Sequence, residues 1–191
     1  MKMRKPSETT WIDLANRALA RLSMNLIRSF DEGSQSALQA ELAISASCSE
    51  VLNTNDWKCA TKRQALHPQS VRTVDGCFAY TFPPDFIRLV EVGRDPELWD
   101  REGNGIVSTY GGDLIIRYVS FPDNPGTLDP MIISAISTLA AYKMALNLTA
   151  DVTIQQQLYT EAMTAMTSAR LAETQGEPDE MYTTNDWKGG Y

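Results

Sequence analysis

Apolar residues recur at helical spacing between Thr10 and about Met24, at Leu14, Ala18, Leu19 and Leu22, and predict a first helix with Ser7 or Thr9 as its cap. Leu26, Ile27 and Phe30 lead into the turn composition Asp31-Glu32-Gly33, after which Ser34 can cap a second helix from about Gln35 to Asn53. Ala37, Ala40, Ile44, Cys48 and Val51 line one face of it, and Leu38, Leu42 and Leu52 widen that face enough to touch more than one neighbour. Thr54-Asn55-Asp56 breaks the pattern.

From Trp57 to Phe121 the period changes. Short runs of β-branched and aromatic residues, separated by Gly, Pro and Asp, predict strands at Lys58 to Gln64, Phe78 to Phe82, Phe86 to Val92, Leu98 to Arg101, Ile106 to Thr109 and Leu114 to Val119. Glu102-Gly103-Asn104-Gly105 and Gly111-Gly112-Asp113 tolerate positive φ, so the later strands are expected to form an antiparallel meander. Pro122, Pro125 and Pro130 end the strand region. Asp129 can cap, and Pro130 can open, a third helix to about Leu148 whose main face is Ile132, Ile136, Leu139, Ala140 and Met144. Ile133, Ala141 and Leu146 leave so little of it polar that it should be central. A fourth helix, about Val152 to Glu173, should bury Leu158, Tyr159, Ala162, Met163, Met166 and Ala169, with Ala165, Ala169 and Ala172 permitting close helix approach.

The expected fold is therefore α+β: a mainly α-helical bundle (10–56 and 122–175), an inserted antiparallel β-sheet region (57–121) and an extended C-terminal tail (176–191). The tail has no apolar period, yet it holds Met181, Tyr182, Trp187 and Tyr191, which suits a segment that orders on a partner through aromatic anchors. Its Thr184-Asn185-Asp186-Trp187-Lys188 repeats Thr54-Asn55-Asp56-Trp57-Lys58, which is too short for a repeat architecture and is either coincidence or a shared docking element.

Charge sharpens this picture. The 191 residues carry 17 basic and 24 acidic side chains, for a net charge of −7, which disfavours a dedicated nucleic-acid binder relying on counterion release. By segment the balance differs: Lys58, Lys62, Arg63 and Arg72 form a basic patch with no acid among them, whereas 177–191 carries four acids and one base. Oppositely signed patches on one chain suit repeated subunit contacts or an oriented partner, and equally a solvated sheet face. The same basic patch would serve a regulator of duplex DNA, a reading that requires steep salt dependence.

Candidate chemistry is sparse. Cys48, Cys59 and Cys77 are odd in number and read as free thiols. With His67 they could nominally form a three-sulfur, one-nitrogen zinc site, but the gaps are not the short paired ones that gather ligands, and no metal or cofactor is expected. His67 sits before Pro68 in a loop context with no nucleophile at a defined spacing. Asp95, Glu97, Asp100 and Glu102 could supply the facing acids of a glycan hydrolase, the alternative reading, although acids among Pro and Gly are usually solubility groups. No export signal is expected, and the apolar run from Met131 to Leu148 contains Lys143, whose insertion at a membrane centre would cost about 2.5–3.5 kcal/mol. A buried helix without a membrane anchor is the expectation.

Several phrases, in order, carry a resemblance. Leu14-Ala15-Asn16-Arg17-Ala18-Leu19-Ala20-Arg21-Leu22, then Ile27-Arg28-Ser29-Phe30, a Ser/Ala-rich helix and Trp57 are similar to the opening of the head-to-tail adaptors of short-tailed phages, the tail tubular protein A family. Tyr80-Thr81-Phe82-Pro83-Pro84-Asp85-Phe86-Ile87-Arg88-Leu89 resembles that family's aromatic-x-Leu-Pro-x-Asp-Phe-Leu-Arg segment, and Leu114-Ile115-Ile116-Arg117-Tyr118-Val119 followed by Leu128-Asp129-Pro130 resembles its strand into a final helix pair. The likeness covers about residues 10 to 176. Ser23 stands where a glycine is usual and Phe82 where a leucine is common. The resemblance implies a virion structural protein without catalytic residues, assembled in the host cytoplasm. Twelve copies would form a ring between the portal protein and the tail nozzle protein, with genomic DNA passing through the channel unbound. Tyr182, Trp187 and Tyr191 would then be partner-binding anchors, and Lys58, Lys62, Arg63 and Arg72 a subunit or partner contact.

Overall fold

A computed structural model describes residues 5–70, 73–95 and 98–175, and the chain is α+β. Helices α1 (Trp11–Arg21), α2 (Gln35–Leu52), α3 (Pro130–Thr149) and α4 (Val152–Gln175) bracket strands β1 (Thr61–Leu66), β2 (Phe78–Thr81), β3 (Phe86–Val92), β4 (Trp99–Glu102), β5 (Gly105–Ser108) and β6 (Leu114–Ser120). The expected tail, 176–191, lies outside the described residues.

Each helix starts where a side chain can accept from a free backbone N–H. Ser34 accepts from Ala37, Asp129 accepts from Met131 with Pro130 opening the first turn, and Asp151 accepts from Thr153 at 2.8 Å. The first helix differs from expectation. Neither Ser7 nor Thr9 caps it: Thr10 does, in a reciprocal pair with Asp13, while Thr9 is buried. That helix ends early, at Arg21, because Ser23 turns left-handed at φ 56°. Its Cβ is tolerated in a conformation that glycine adopts freely.

Helix α3 packs against α1, α2 and α4 and is buried nearly all round, from Ile132 and Ile133 to Met144. It is the one described helix long and apolar enough to cross a membrane, and most of that apolar stretch is covered by its neighbours. Buried alanines, Ala135, Ala140 and Ala145 on α3 with Ala162 and Ala169 on α4, let the axes approach. Ala172 does not share in this, being exposed, and Ala165 is half-buried. Four large apolar residues expected inside are instead outside: Leu38, Leu42, Leu146 and Tyr159 are 56%, 60%, 45% and 49% exposed. The narrower stripe of Ala37, Ala40, Ile44, Cys48 and Val51 already fills the space that α2 faces, so Leu38 and Leu42 fall beyond its edge.

The strands form two three-stranded antiparallel sheets, ordered β1-β6-β3 and β2-β5-β4. The meander therefore stops after one hairpin, β4-β5, turned at Gly103 with φ 54°. Gly111-Gly112-Asp113 carries the chain across to the other sheet instead of back along the same one, because β6 is buried or half-buried at six of its seven positions and needs a neighbour on both edges. Lys58 to Ala60, expected as strand, form a 3-10 turn.

Alternation along β6 divides the interior. Val119 joins Trp57, Ala60 and the helices, whereas Leu114, Ile116 and Tyr118 face Tyr80, Phe82 and Ile106 in a second core. The first sheet is thus a shared middle layer. Part of one face meets the helices, the other face meets the second sheet, and what remains is open to solvent.

Candidate functional site

The open part of the first sheet is a basic groove, and strand register builds it. Cross-strand partners share a face, so Arg63 on β1 stands opposite Arg117 on β6, which in turn stands opposite Glu91 on β3. Arg88 is three residues before Glu91 and, with strict period-two alternation, would face the other way. A bulge between Leu89 and Glu91 absorbs the extra residue and puts both on the groove side, Arg88 being paired in register with Val119. Asp56, from the loop after α2, ion-pairs with Arg88. Glu91 lies 3.6 Å from Arg117 Nε, close enough for charge attraction but too far for a hydrogen bond. Arg63 is exposed and has no ion pair or hydrogen bond among the described residues.

Two adjoining hollows line this row. One of about 460 Å³ is bounded by Asp56, Lys58, Thr61, Arg63, Val90 and Arg117, and one of about 210 Å³ by Arg63, Glu91, Gly93, Ile115, Ile116 and Arg117. Ile115, 60% exposed, gives the groove an apolar floor segment between cations. Four cations, Lys58, Arg63, Arg88 and Arg117, meet three carboxylates, Asp56, Glu91 and Glu173, the last accepting from the Lys58 backbone N–H at 2.8 Å, so the groove keeps a positive balance on an acidic protein. An open, positively lined strip of this kind suits an extended acidic segment or the acidic face of a neighbour.

The structure divides the basic run seen in the sequence. Lys58 and Arg63 lie in the groove. Lys62 does not: one residue along β1 from Arg63, it faces Tyr118 and donates to Asp85 at 2.6 Å. The hydrogen bond with Asp85 raises its pKa. Burial acts upward on Asp85, but the bonds from Lys62 and the Tyr118 hydroxyl outweigh it and hold the carboxyl below its ordinary value. Arg72 lies outside the described residues, as do Tyr182, Trp187 and Tyr191. Arg88, Arg117, Asp56 and Glu91 were not part of the basic run. Alternation within β6 gave a hint of Arg117, but only the pairing partner and the bulge reveal the rest.

The opposite end of α2 presents a different surface. Leu38 and Leu42, one turn apart, continue into Ser45 and Ser49 along an exposed, uncharged stripe. Between Phe30 and Leu38 an open depression of about 450 Å³ flanks it. A larger depression, about 510 Å³, lies between the starts of α1 and α3 and is lined by Lys5, Asp13, Asn16, Arg17, Leu26 and Pro130 among others. There Asn16 is committed to structure, its amide bonding both the N–H and the C=O of Ile27.

The remaining candidates do not assemble. His67 is exposed and its Nδ1 lies 2.7 Å from Asp113 Oδ1. Cys48 is sealed in the helical core, where burial pushes its thiol up to about 12, and among the described residues no group of three His, Cys, Asp or Glu is placed to hold a metal ion. Asp95, Asp100 and Glu102 are exposed, the last two along β4, and line none of these hollows; Glu97 lies outside the described residues. No protein-family model matches the chain, and no curated protein does either.

Proposed function

We propose that this chain is a structural head-to-tail adaptor of a phage virion, a ring-forming subunit that works by shape between portal and tail nozzle and leaves a channel for the genome. The observation that carries the reading is the pair of unlike surfaces at the two ends of α2: the uncharged Leu38–Leu42 stripe near its start and the basic groove just past its end. At 1.5 Å per residue, Leu42 stands roughly 15 Å of helix from the end of α2 at Leu52. Two different patches on one subunit make heterologous contacts, which close into rings when the rotation per copy permits. The order of sequence phrases shared with the adaptor family supports the same conclusion, as does the segregation of charge. Ring contacts gain from templating, so self-association is weak until the portal gathers the copies. The C-terminal residues, with Tyr182, Trp187 and Tyr191, supply the portal anchors.

The test is electron microscopy of the full chain mixed with the portal protein of the same virus. Rings seated on the portal are expected. Leu42→Asp should remove them while the circular dichroism spectrum stays helical, and deletion of 177–191 should abolish portal binding without loss of fold. Lone particles that never join the portal would overturn the reading.

A further inference from the structure

The acids of β4 form a surface opposite in sign to the groove, and strand alternation builds it. β4 is an edge strand with β5 on its one paired side. Asp100 and Glu102, two residues apart, share a face, with Val107 opposite Asp100. Arg101 between them is turned the other way: it stands opposite the buried Ile106 and lies over the rings of Phe82 and Phe86, at 5.7 and 5.6 Å. Alternation thus removes the cation from the acidic face. We infer that the groove of one copy takes the Asp100–Glu102 face of a second copy, with Arg63 and Arg117 on the two carboxylates. This deepens the adaptor reading by naming what fills the groove, and it rests on that reading only for the closure of copies into a ring.

Three physical points carry it. Both sides hold unanswered charge. Arg63 and Arg117 are like charges directly opposite on neighbouring strands, an arrangement that costs stability until an anion bridges it. Arg63 has no ion pair or hydrogen bond among the described residues, and Glu91, 3.6 Å from the Arg117 Nε that is buried without a hydrogen bond, answers only one of the two. Across the contact, Glu102 is exposed with no partner among the described residues, and Asp100 accepts from the backbone N–H of its own neighbour, Arg101, at 2.7 Å. The turn Asp31-Glu32 is a poorer candidate, because its Glu32 carboxylate is committed to the Arg28 N–H and the Ser34 hydroxyl. The spacing also matches. Carboxylates two residues apart on a strand stand about 6.8 Å from one another, and the strands bearing the two arginines about 4.8 Å, a difference that long guanidinium side chains absorb. Finally, each side has an apolar centre for its charges to surround: Ile115, 60% exposed, in the groove, and Leu98, 40% exposed, immediately before β4. Groove and acidic face belong to different sheets, so the contact is head-to-tail and repeats from copy to copy.

Charge exchange on the full chain tests this directly. Asp100→Arg/Glu102→Arg reverses the acidic face and keeps the groove, whereas Arg63→Glu/Arg117→Glu reverses the groove and keeps the acidic face. In sedimentation velocity at low salt, the wild type is expected to self-associate as its concentration rises, and each variant alone at least about tenfold more weakly, because like charge then meets like. An equimolar mixture of the two variants should recover the wild-type level, since every junction again joins opposite signs. With either variant ¹⁵N-labelled in that mixture, amides of 99–103 or 62–64 should shift, while the dispersion of the helical amides reports that both are folded. Arg63→Glu alone, at an exposed position, should repeat the loss at smaller size. A wild type that stays monomeric at every concentration, variants that associate as it does, or a mixture no stronger than its parts overturns the inference. Its failure is distinct from that of the adaptor reading: rings that still seat on the portal with Arg63→Glu/Arg117→Glu sink this contact and spare the adaptor, whereas a successful exchange without portal rings does the reverse.

Discussion

The two cores of this protein solve the same burial problem with opposite chemistry. In the helical core two buried hydroxyls are satisfied within their own helix, Ser137 and Thr138 both donating to the Ser134 carbonyl one turn back, while the buried Ser47 hydroxyl on α2 has no partner among the described residues. In the sheet core they are satisfied across the chain. The Tyr80 hydroxyl lies between the carbonyls of Tyr110, at 2.5 Å, and Gly112, at 2.8 Å, and the Tyr118 hydroxyl lies 3.1 Å from Asp85 Oδ1 and 3.2 Å from Gln64 Oε1. The first core consequently depends on side-chain volume, and the second on volume plus a polar network whose members are distant in sequence. Substitutions should separate the two.

The largest effect is expected at the seam. Trp57 is buried in the helical core, its indole N–H donates to the Val51 carbonyl at 2.9 Å, and it directly precedes the turn into β1. Trp57→Ala should cost about 3–5 kcal/mol, read as a lower urea midpoint. Because β6 serves both cores, loss of helix and loss of aromatic environment should coincide in one transition. Two transitions would show that the cores melt independently.

Next in size is the tyrosine network. Tyr118→Phe keeps the ring and removes the hydroxyl, and a hydrogen bond to a charged group is worth about 1.5–3 kcal/mol, of which the exposed side of Asp85 will return part. A pH signature accompanies it. Burial, then the hydrogen bond to Asp85, pushes the Tyr118 pKa from 10.0 to about 12. The folded state therefore holds a proton that the unfolded state releases, so this contribution is complete below pH 10 and is lost as pH climbs toward 12. Asp85 has the opposite sign: its lowered pKa stabilises the fold above the ordinary carboxylate value and the benefit goes as pH falls through the folded value. Chemical denaturation at stepped pH should show a steeper alkaline loss in the wild type than in Tyr118→Phe. Equal slopes would remove the network from the account.

The same contrast explains what could be read in advance. Helix positions, the Ser34 and Asp129 caps and the buried stripe of α2 follow from spacing within a dozen residues, and the structure keeps them. Each strand was also visible as a run. What could not be read was which strands pair, because β6 takes partners more than twenty residues away on both sides and its hydrogen bonds leave no local trace. The groove inherits that difficulty. Arg63 and Lys62 look alike in the chain, yet one residue of offset sends them to opposite faces, and the β3 bulge that brings Arg88 and Glu91 together has no sequence signature.

A smaller change tests the helical region's reliance on local order. Thr10 and Asp13 satisfy each other's backbone N–H at the start of α1. Thr10→Ala should cost about 1 kcal/mol in a urea titration, with no change in the alkaline slope assigned to Tyr118. A changed slope would mean that the two cores communicate more closely than the strands they share, β3 and β6, imply.

The smallest effect compares ion pairs. Arg21 and Glu161 join α1 to α4 at 2.8 Å, but their side chains are 38% and 41% exposed, and each must give up rotamer freedom to meet. Arg21→Ala should change stability by no more than about 0.5 kcal/mol, and added salt should erase even that. Lys62 and Asp85 meet at 2.6 Å, with Asp85 26% exposed and already fixed by the Tyr118 hydroxyl. One partner there has little freedom left to lose, so the pair resists salt better. A double-mutant cycle on each pair, at low and high salt, should give the larger and less screened coupling on the sheet. If the helical pair proves equal, the advantage does not come from the tyrosine that holds Asp85 in place, and the polar network is no more than a set of separate contacts.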